Sequence, residues 1–426
     1  MNIRDLNGKS ICMLGYGREG KAMVAALEQY APDTTITIAD QNTQYKIQDT
    51  RYKIQNGTDW LSNLHHFDVV IKSPGIPLLP ELKTLGDKLT NSTQIFLDSI
   101  PQETVVIGVT GSKGKSTVAS LIYAILKEAK KSTMLVGNIG DAAITHIESV
   151  TANTIVVAEI SSYQLIQMTR SPQIAVLTSF FPEHLDYHGD IDAYREAKRN
   201  ICRFQTKDDM VVYNGESDDV QNIAETCPGK KKAYTTKDAA VTLQETHLIG
   251  THNLLNIAAA TTVASVLNIG QEHVRKAVRT FRVLPHRLQS LGVHHDIEWI
   301  DDAISTTPDS TIAAIACFGS RLQCIILGGK DRQLDLTSLG KTIDSSSLSH
   351  VIVMGENSDR MVKIITNPVI QIHKVQTMKE AVDIAKNVLQ DSTIEHPVTL
   401  LSPAAASYDM YSNFEQKGNE FASEVG

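Results

Sequence analysis

Cysteine is scarce in this chain and follows no pattern. The five cysteines (Cys12, Cys202, Cys227, Cys317 and Cys324) include no Cys-x-x-Cys pair. An odd, scattered set in 426 residues fits reduced thiols and a cytoplasmic protein, and speaks against a disulfide scaffold. Long apolar runs are also missing. No segment reaches about 18 uninterrupted apolar residues, so no membrane span is expected. The opening Met1-Asn-Ile-Arg-Asp lacks the charged-then-apolar layout of a signal peptide. Positive charge is in deficit: 40 Lys and Arg against 48 Asp and Glu leave a net charge of −8. Without a basic stripe no nucleic-acid partner is expected, because phosphate-backbone binding needs clustered Lys and Arg. The run Lys230-Lys231-Lys232 is too short to supply one and reads as a solvated loop.

What the chain does have is alternation of apolar strands, glycine turns and helices. Its 42% hydrophobic and 21% charged residues are ordinary for a globular enzyme. Its length predicts two to four domains at about 100–200 residues each. The first pattern is Ser10-Ile-Cys-Met-Leu-Gly15-Tyr-Gly17-Arg-Glu-Gly20, then a helix from Lys21 to Gln29. Thr34 to Asp40 reads as a second strand, and Asp68-Val-Val-Ile-Lys-Ser-Pro-Gly75 repeats the strand-to-turn theme. These units predict a Rossmann-like domain over residues 1–96. A second α/β domain is expected over 97–284. Its strands are Thr104–Thr110, Thr154–Ala158, Ile174–Thr178 and Met210–Tyr213, and its late helix, His252–Leu267, is apolar on one face. Strand-then-turn units at Glu298–Asp302, Leu322–Gly329, His350–Gly355 and Val398–Ser402 predict a third parallel sheet over 285–426. The fold class is therefore α/β with three domains, a P-loop-type ATP-binding sheet between two Rossmann-like ones.

The most informative string is Gly108-Val-Thr-Gly111-Ser-Lys-Gly114-Lys115-Ser116-Thr117. Backbone N–H groups of such a loop converge on phosphate oxygens, and the helix behind it adds a favourable dipole. Lys115 can bridge the β- and γ-phosphates, and the Ser116 hydroxyl can ligate magnesium. Val109 stands where the standard pattern has its first Gly, so the match is to Thr-Gly-x-x-Gly-Lys-Ser-Thr. Gly15-x-Gly17-x-x-Gly20, with Asp40 twenty residues on, would by itself suggest NAD. A dehydrogenase leaves the Lys115 loop unexplained.

Thr110-Gly-Ser-Lys-Gly-Lys-Ser-Thr117 resembles the ATP loop of the Mur ligases and the folylpolyglutamate synthases. Further matching strings follow in that family's order: Gly137-Asn138-Ile-Gly140, Glu159-Ile-Ser-Ser-Tyr-Gln-Leu165, Glu183-His184-Leu-Asp186 and Tyr194-Arg-Glu-Ala-Lys198. Beyond them come Gly250-Thr-His-Asn253-Leu-Leu-Asn256, Leu284-Pro-His-Arg287, Leu401-Ser-Pro-Ala-Ala-Ala-Ser407 and Asn413-Phe414-Glu-Gln-Lys-Gly418. The resemblance spans all three domains. The extra N-terminal domain favours the Mur ligases over the folylpolyglutamate synthases. The Ser-Tyr-Gln and Asn-Phe-Glu-Gln strings favour the branch that adds glutamate to UDP-N-acetylmuramoyl-L-alanine in peptidoglycan synthesis.

That resemblance implies an amide ligase. ATP turns a carboxylate into an acyl phosphate, an amine attacks, and phosphate leaves. Pressing a carboxylate against a γ-phosphate needs positioned cations, and two magnesium ions are the expected device. The resemblance implies Gly111, Ser112, Lys113, Gly114, Lys115, Ser116 and Thr117 around the ATP phosphates. It implies Ser116, Glu159, His184 and a carbamylated Lys198 on the metals, with Lys115, His184 and Lys198 catalytic. A buried Lys loses its proton readily, as carbamylation requires. Asn253 and Asn256 are expected near adenine, Arg287 on phosphate after domain closure, and Asp302 on ribose. Asn138 is expected at the γ-phosphate or substrate. Gly15, Tyr16, Gly17, Arg18, Glu19, Asp40 and Ser73 are expected around the UDP moiety. Arg332, Ser407 and Phe414 are expected at the incoming glutamate. A monomer is expected.

The pattern breaks at Asp301-Asp302-Ala303-Ile304-Ser305-Thr306-Thr307, where Ile304 occupies the place of a glutamate-holding lysine. Arg332 still supplies a bidentate cation, and Ser305, Thr306 and Thr307 supply neutral donors. An acidic acceptor stays the expectation, with D-glutamate the first reading and L-glutamate the alternative. The competing expectations are another amino-acid acceptor, or a silent nucleotide- and UDP-sugar-binding protein.

Overall fold

The computed structural model describes residues 1–42, 51–138 and 142–426. Among these residues the strands form three sheets. The first holds β1 (Ser10–Leu14), β2 (Thr35–Asp40), β3 (Lys53–Asn56), β4 (Val69–Lys72) and β5 (Leu89–Thr90), in the order β3-β2-β1-β4-β5. The second holds β6 (Val105–Thr110), β7 (Thr133–Gly137), β8 (Ile155–Glu159), β9 (Ile174–Leu177), β10 (Met210–Asn214) and β11 (Lys230–Tyr234), in the order β11-β10-β9-β6-β8-β7. Every pairing in these two sheets is parallel. The third holds β12 (Gln289–His294), β13 (Ile297–Asp301), β14 (Leu322–Leu327), β15 (His350–Val353), β16 (Gln371–Lys374) and β17 (Val398–Leu401), in the order β12-β13-β17-β14-β15-β16. Only β12 and β13 pair antiparallel, as a hairpin at its edge. The chain divides into two compact units. One is Met1–Thr242 with Leu254–Phe281 and carries the first two sheets; the other is Leu243–Asn253 with Arg282–Gly426 and carries the third.

The central strands are runs of Val, Ile and Leu without alternation because helices cover both faces of a parallel sheet. Val69-Val-Ile, Ile174-Ala-Val-Leu177 and Val398-Thr-Leu-Leu401 are buried throughout. Each such aliphatic side chain contributes about 1.5–3 kcal/mol on burial. The strand order reverses beside β1 in the first sheet, and β6 lies between β8 and β9 in the second. Ligand crevices open at such switch points, outside the carboxyl ends of the strands. The loops after β1, β4, β6 and β8 stand there.

Three expectations are corrected. Lys230–Lys232 is not a loop but the exposed start of the edge strand β11, where lysines block further strand pairing. Cys202 and Cys227 form a disulfide, 25 residues apart, so the five cysteines are not all free thiols. Position 202 ends one helix and position 227 follows another, a proximity that spacing does not reveal. The late helix, His252–Val266, is buried on every side from Asn256 to Ala264 rather than apolar on one face. No helix among the described residues is long and apolar enough to cross a membrane.

Candidate active site

β6 runs into the glycine loop, and the helix Lys115–Glu128 starts behind it. Two glycines are required there. Gly111 has φ +155° and a Cβ would overlap the Thr178 hydroxyl; Gly114 has φ +85° and a Cβ would come 2.5 Å from Asn256 Oδ1. Adenine-candidate Asn256 therefore stands against the loop. Ser112 Oγ donates to the Phe181 carbonyl (3.0 Å) and lies 2.9 Å from Tyr194 Oη. Lys113 reaches Glu183 at 2.6 Å. Lys115 Nζ folds back onto the carbonyls of Gly111 (2.9 Å) and Ser112 (2.8 Å). Thr117 is buried and Ser116 half-buried at the start of the helix.

Lys198 comes from the helix Ile191–Arg203, which starts on an Asp190 cap. It is 2% exposed. Its Nζ donates to the Gly111 carbonyl at 2.7 Å and sits 4.7 Å from the Tyr194 ring centre. Burial, then the charge of Lys115, hold its amine well below the usual lysine range. Glu159 ends β8 in register with Val109, 1% exposed. Its Oε1 accepts from Asn138 Nδ2 at 3.3 Å, and its Oε2 is buried with no hydrogen-bond partner among the described residues. Of the string after β7, Ile139 and Gly140 lie outside the described residues. His184 has φ +57° at the head of the short helix Leu185–His188, an uncommon backbone for a non-glycine residue. Its ring packs 4.9 Å from Tyr163, and burial lowers its pKa.

At the first sheet, Gly15, Tyr16 and Gly17 follow β1, and Arg18 and Glu19 open the helix Arg18–Tyr30. The Tyr16 amide donates to Asp40 Oδ2 (2.7 Å), and Ser73 Oγ donates to the Gly15 carbonyl (2.8 Å). The three loops thus close on one another. Glu19 points away from them: Oε2 accepts from Ser92 (2.9 Å) and Oε1 from Gln164 Nε2 (3.2 Å).

The second unit holds Asn253, Arg287, Asp302, Arg332, Ser407 and Phe414. Asp302, just after β13, accepts from the Leu288 amide (3.2 Å) and the Ser402 hydroxyl (2.9 Å), and burial pushes its pKa up to about 6. Asn253 Nδ2 donates to the Ile249 carbonyl (2.7 Å), and Arg287 acts on His252. Arg332 is exposed, Ser407 is 2% exposed with no partner for its hydroxyl among the described residues, and Phe414 begins the C-terminal helix.

Three residues beside the site escaped sequence reasoning, Lys72, Tyr187 and His188, and Gln164, though part of a matching string, was given no role. His188 was findable, four residues past His184 on the same helical face. Its Nε2 lies 3.0 Å from Ser162 Oγ, and burial, then His184, push its pKa down to about 4. Lys72 also left a signal, a charge closing an otherwise apolar strand.

A glycine loop holding two lysine amines, with a buried acid on the adjacent strand, defines a nucleotide-dependent α/β enzyme. Residues 109–244 match the Mur ligase middle domain. The chain is 31% identical to the UDP-N-acetylmuramoylalanine–D-glutamate ligase of Streptococcus mutans, over 99% of this chain and 97% of that protein. It is 30% identical to the ligase of that name from Leuconostoc citreum, over 100% and 99%. Among solved structures it resembles the UDP-N-acetylmuramate-alanine ligase MurC of Thermotoga maritima (TM-score 0.61, 20% identity, 97% and 98% covered). It also resembles MurF of Acinetobacter baumannii (TM-score 0.63, 17% identity, 100% and 92% covered). These two likenesses carry the fold alone. The chain belongs to the Mur ligase family, among the UDP-N-acetylmuramoylalanine–D-glutamate ligases.

Proposed function

We propose that this chain joins D-glutamate to the carboxylate of UDP-N-acetylmuramoyl-L-alanine at the expense of ATP, through an acyl phosphate. The observation that carries the reading is the buried Lys198 amine on the same carbonyl as the loop lysine. A protein that merely bound a nucleotide would have no use for a second, desolvated lysine beside the phosphate loop.

The glycine loop holds the ATP phosphates with its amides, and Lys115 leaves the carbonyls of Gly111 and Ser112 for the β- and γ-phosphates. Glu159, whose buried Oε2 has no partner among the described residues, and Ser116 fit a magnesium ion. His184 and Lys198, as its carbamate, fit a second. Bound magnesium supplies positive charge where the carboxylate meets the γ-phosphate. Asn138, tied to Glu159, orients the reacting groups. The loops around Gly15, Asp40 and Ser73 hold the UDP end, Asn253, Asn256, Arg287 and Asp302 serve the nucleotide, and Arg332, Ser407 and Phe414 receive the amino acid.

The test is phosphate release by the purified chain with ATP, magnesium and UDP-N-acetylmuramoyl-L-alanine, comparing D-glutamate, L-glutamate and no acceptor. Stimulation by D-glutamate is expected. Stimulation by L-glutamate alone would keep the mechanism and change the product. No stimulation by either would mean that the acceptor is another amino acid or that the ligase reading is wrong.

A further inference from the structure

Two charged side chains, Lys72 of β4 and Glu19 of the helix Arg18–Tyr30, end on segments that follow strands of the second sheet. Lys72 closes β4 and is 1% exposed. Its Nζ donates to Tyr187 Oη (3.0 Å) and to the carbonyls of Ile76 (2.6 Å) and Ser73 (3.2 Å). Tyr187 sits three residues past His184. Its hydroxyl lies 2.6 Å from the carbonyls of both Pro74 and Ile76. Its ring packs 4.1 Å from Tyr163, the residue that also flanks His184. Nearby, Glu19 is held by Gln164, whose Oε1 accepts from the Ser161 amide (2.9 Å) and closes the capping box of the turn carrying Tyr163. Glu19 and Lys72, on the same side of the joint, also attract each other.

Apolar contacts would join two sheets at less cost. An ammonium and a carboxylate taken out of water cost several kcal/mol each before pairing, and burial pushes the Lys72 pKa down to about 8. What such bonds add over apolar packing is direction: they fix one register between the loop 73–76 and the His184 segment. Ser73 in turn is tied to Gly15, so the register extends to the loop after β1.

We propose that Lys72 with Tyr187, and Glu19 with Gln164, are positioning residues that set the distance between the UDP-holding loops and the glycine loop, so that the substrate carboxylate meets the γ-phosphate. The proposal rests on the ligase reading above. A displacement of about 1 Å in such a geometry costs up to about a hundredfold in rate.

The experiment uses the full chain, with Lys72→Met and Tyr187→Phe singly and together. Tyr187→Phe removes only a hydroxyl, so it remains informative if Lys72→Met folds poorly. Hydrogen exchange of the unliganded protein is expected to quicken in both 73–76 and 185–189 in each variant. In the ligase assay, kcat is expected to fall about tenfold to a hundredfold with KM for ATP unchanged. The double variant is expected to lose less than the product of the single losses, since both side chains belong to one hydrogen-bonded cluster on the loop 73–76. Exchange confined to one segment, an unchanged kcat, or losses that multiply would overturn the proposal. The exchange comparison needs no substrate, so it decides the register even if the wild-type chain released no phosphate, a result that would sink the ligase reading separately.

Discussion

Lys198 and Lys115 share one acceptor, their amines lying 2.7 and 2.9 Å from the carbonyl oxygen of Gly111. Two ammonium groups on one oxygen repel, and the more deeply buried one yields its proton first. That is Lys198, whose pKa is lowered by burial and then by Lys115. A neutral amine can add carbon dioxide and become an anion; an ammonium cannot. Activity is therefore expected to fall when dissolved carbon dioxide is stripped and to return with bicarbonate. The folded pKa is depressed, so loading improves as pH rises through it. Lys198→Arg keeps a charge at all pH values and should lose about a hundredfold or more in kcat. An arginine variant with near-normal turnover would remove Lys198 from the chemistry.

Glu159 offers a buried oxygen with no hydrogen-bond partner among the described residues. If that oxygen takes magnesium, Glu159→Gln weakens the metal without touching the glycine loop. The concentration of magnesium for half-maximal activity should rise about tenfold or more, as carboxylate oxygens outbind amides for hard cations. Turnover at saturating magnesium should recover in part. A magnesium titration that superimposes on the wild type would place the metal elsewhere.

How far the sequence spoke depended on whether a feature was local. Val105–Thr110 with its glycine loop, and the apolar runs at β8, β9, β14 and β17, announced themselves because strand, turn and helix follow one another. The edge strand Lys230–Tyr234 did not, since its lysines face solvent and carry no apolar period. β3 and β16, both short and at sheet edges, went unread for the same reason. Of the site, the loop residues and Lys198 were legible as strings. What Glu19 touches was not, because Ser92 and Gln164 lie 73 and 145 residues away. The Cys202–Cys227 pairing was hidden in the same way.

Asp302 sets stability against function. Its folded pKa, about 6, lies above the unfolded 3.8, chiefly through burial. Between these values the folded state binds the extra proton, so stability falls as pH rises through the window, and the cost persists above it. Asp302→Asn removes the charge and keeps an oxygen for the Leu288 amide. At neutral pH the variant should unfold at higher denaturant concentration, by ~1–3 kcal/mol, with the gain vanishing below pH 4. If Asp302 holds the ribose, KM for ATP should rise about tenfold in the same protein, the loss of one charge-assisted hydrogen bond. A variant less stable at pH 7 than at pH 4 relative to wild type would reverse the sign and refute the burial argument.

The acceptor pocket lacks a lysine at 304, and Arg332 is the cation proposed in its place. Arg332 is exposed on the loop after β14, which Arg360 holds through Asp331 (2.5 Å) and the Leu334 carbonyl (2.8 Å). A bidentate guanidinium–carboxylate contact is worth about 1.5–3 kcal/mol. Arg332→Ala should therefore raise KM for glutamate by about ten- to a hundredfold and leave KM for ATP in place. Arg332→Lys should recover only part of it, because a point charge does not reproduce the fork. Ile304→Lys, adding a second cation, should lower KM for glutamate and offset much of the Arg332→Ala defect. If Arg332→Ala left the glutamate KM unchanged, the neutral donors Ser305, Thr306, Thr307 and Ser407 would have to hold the acceptor alone.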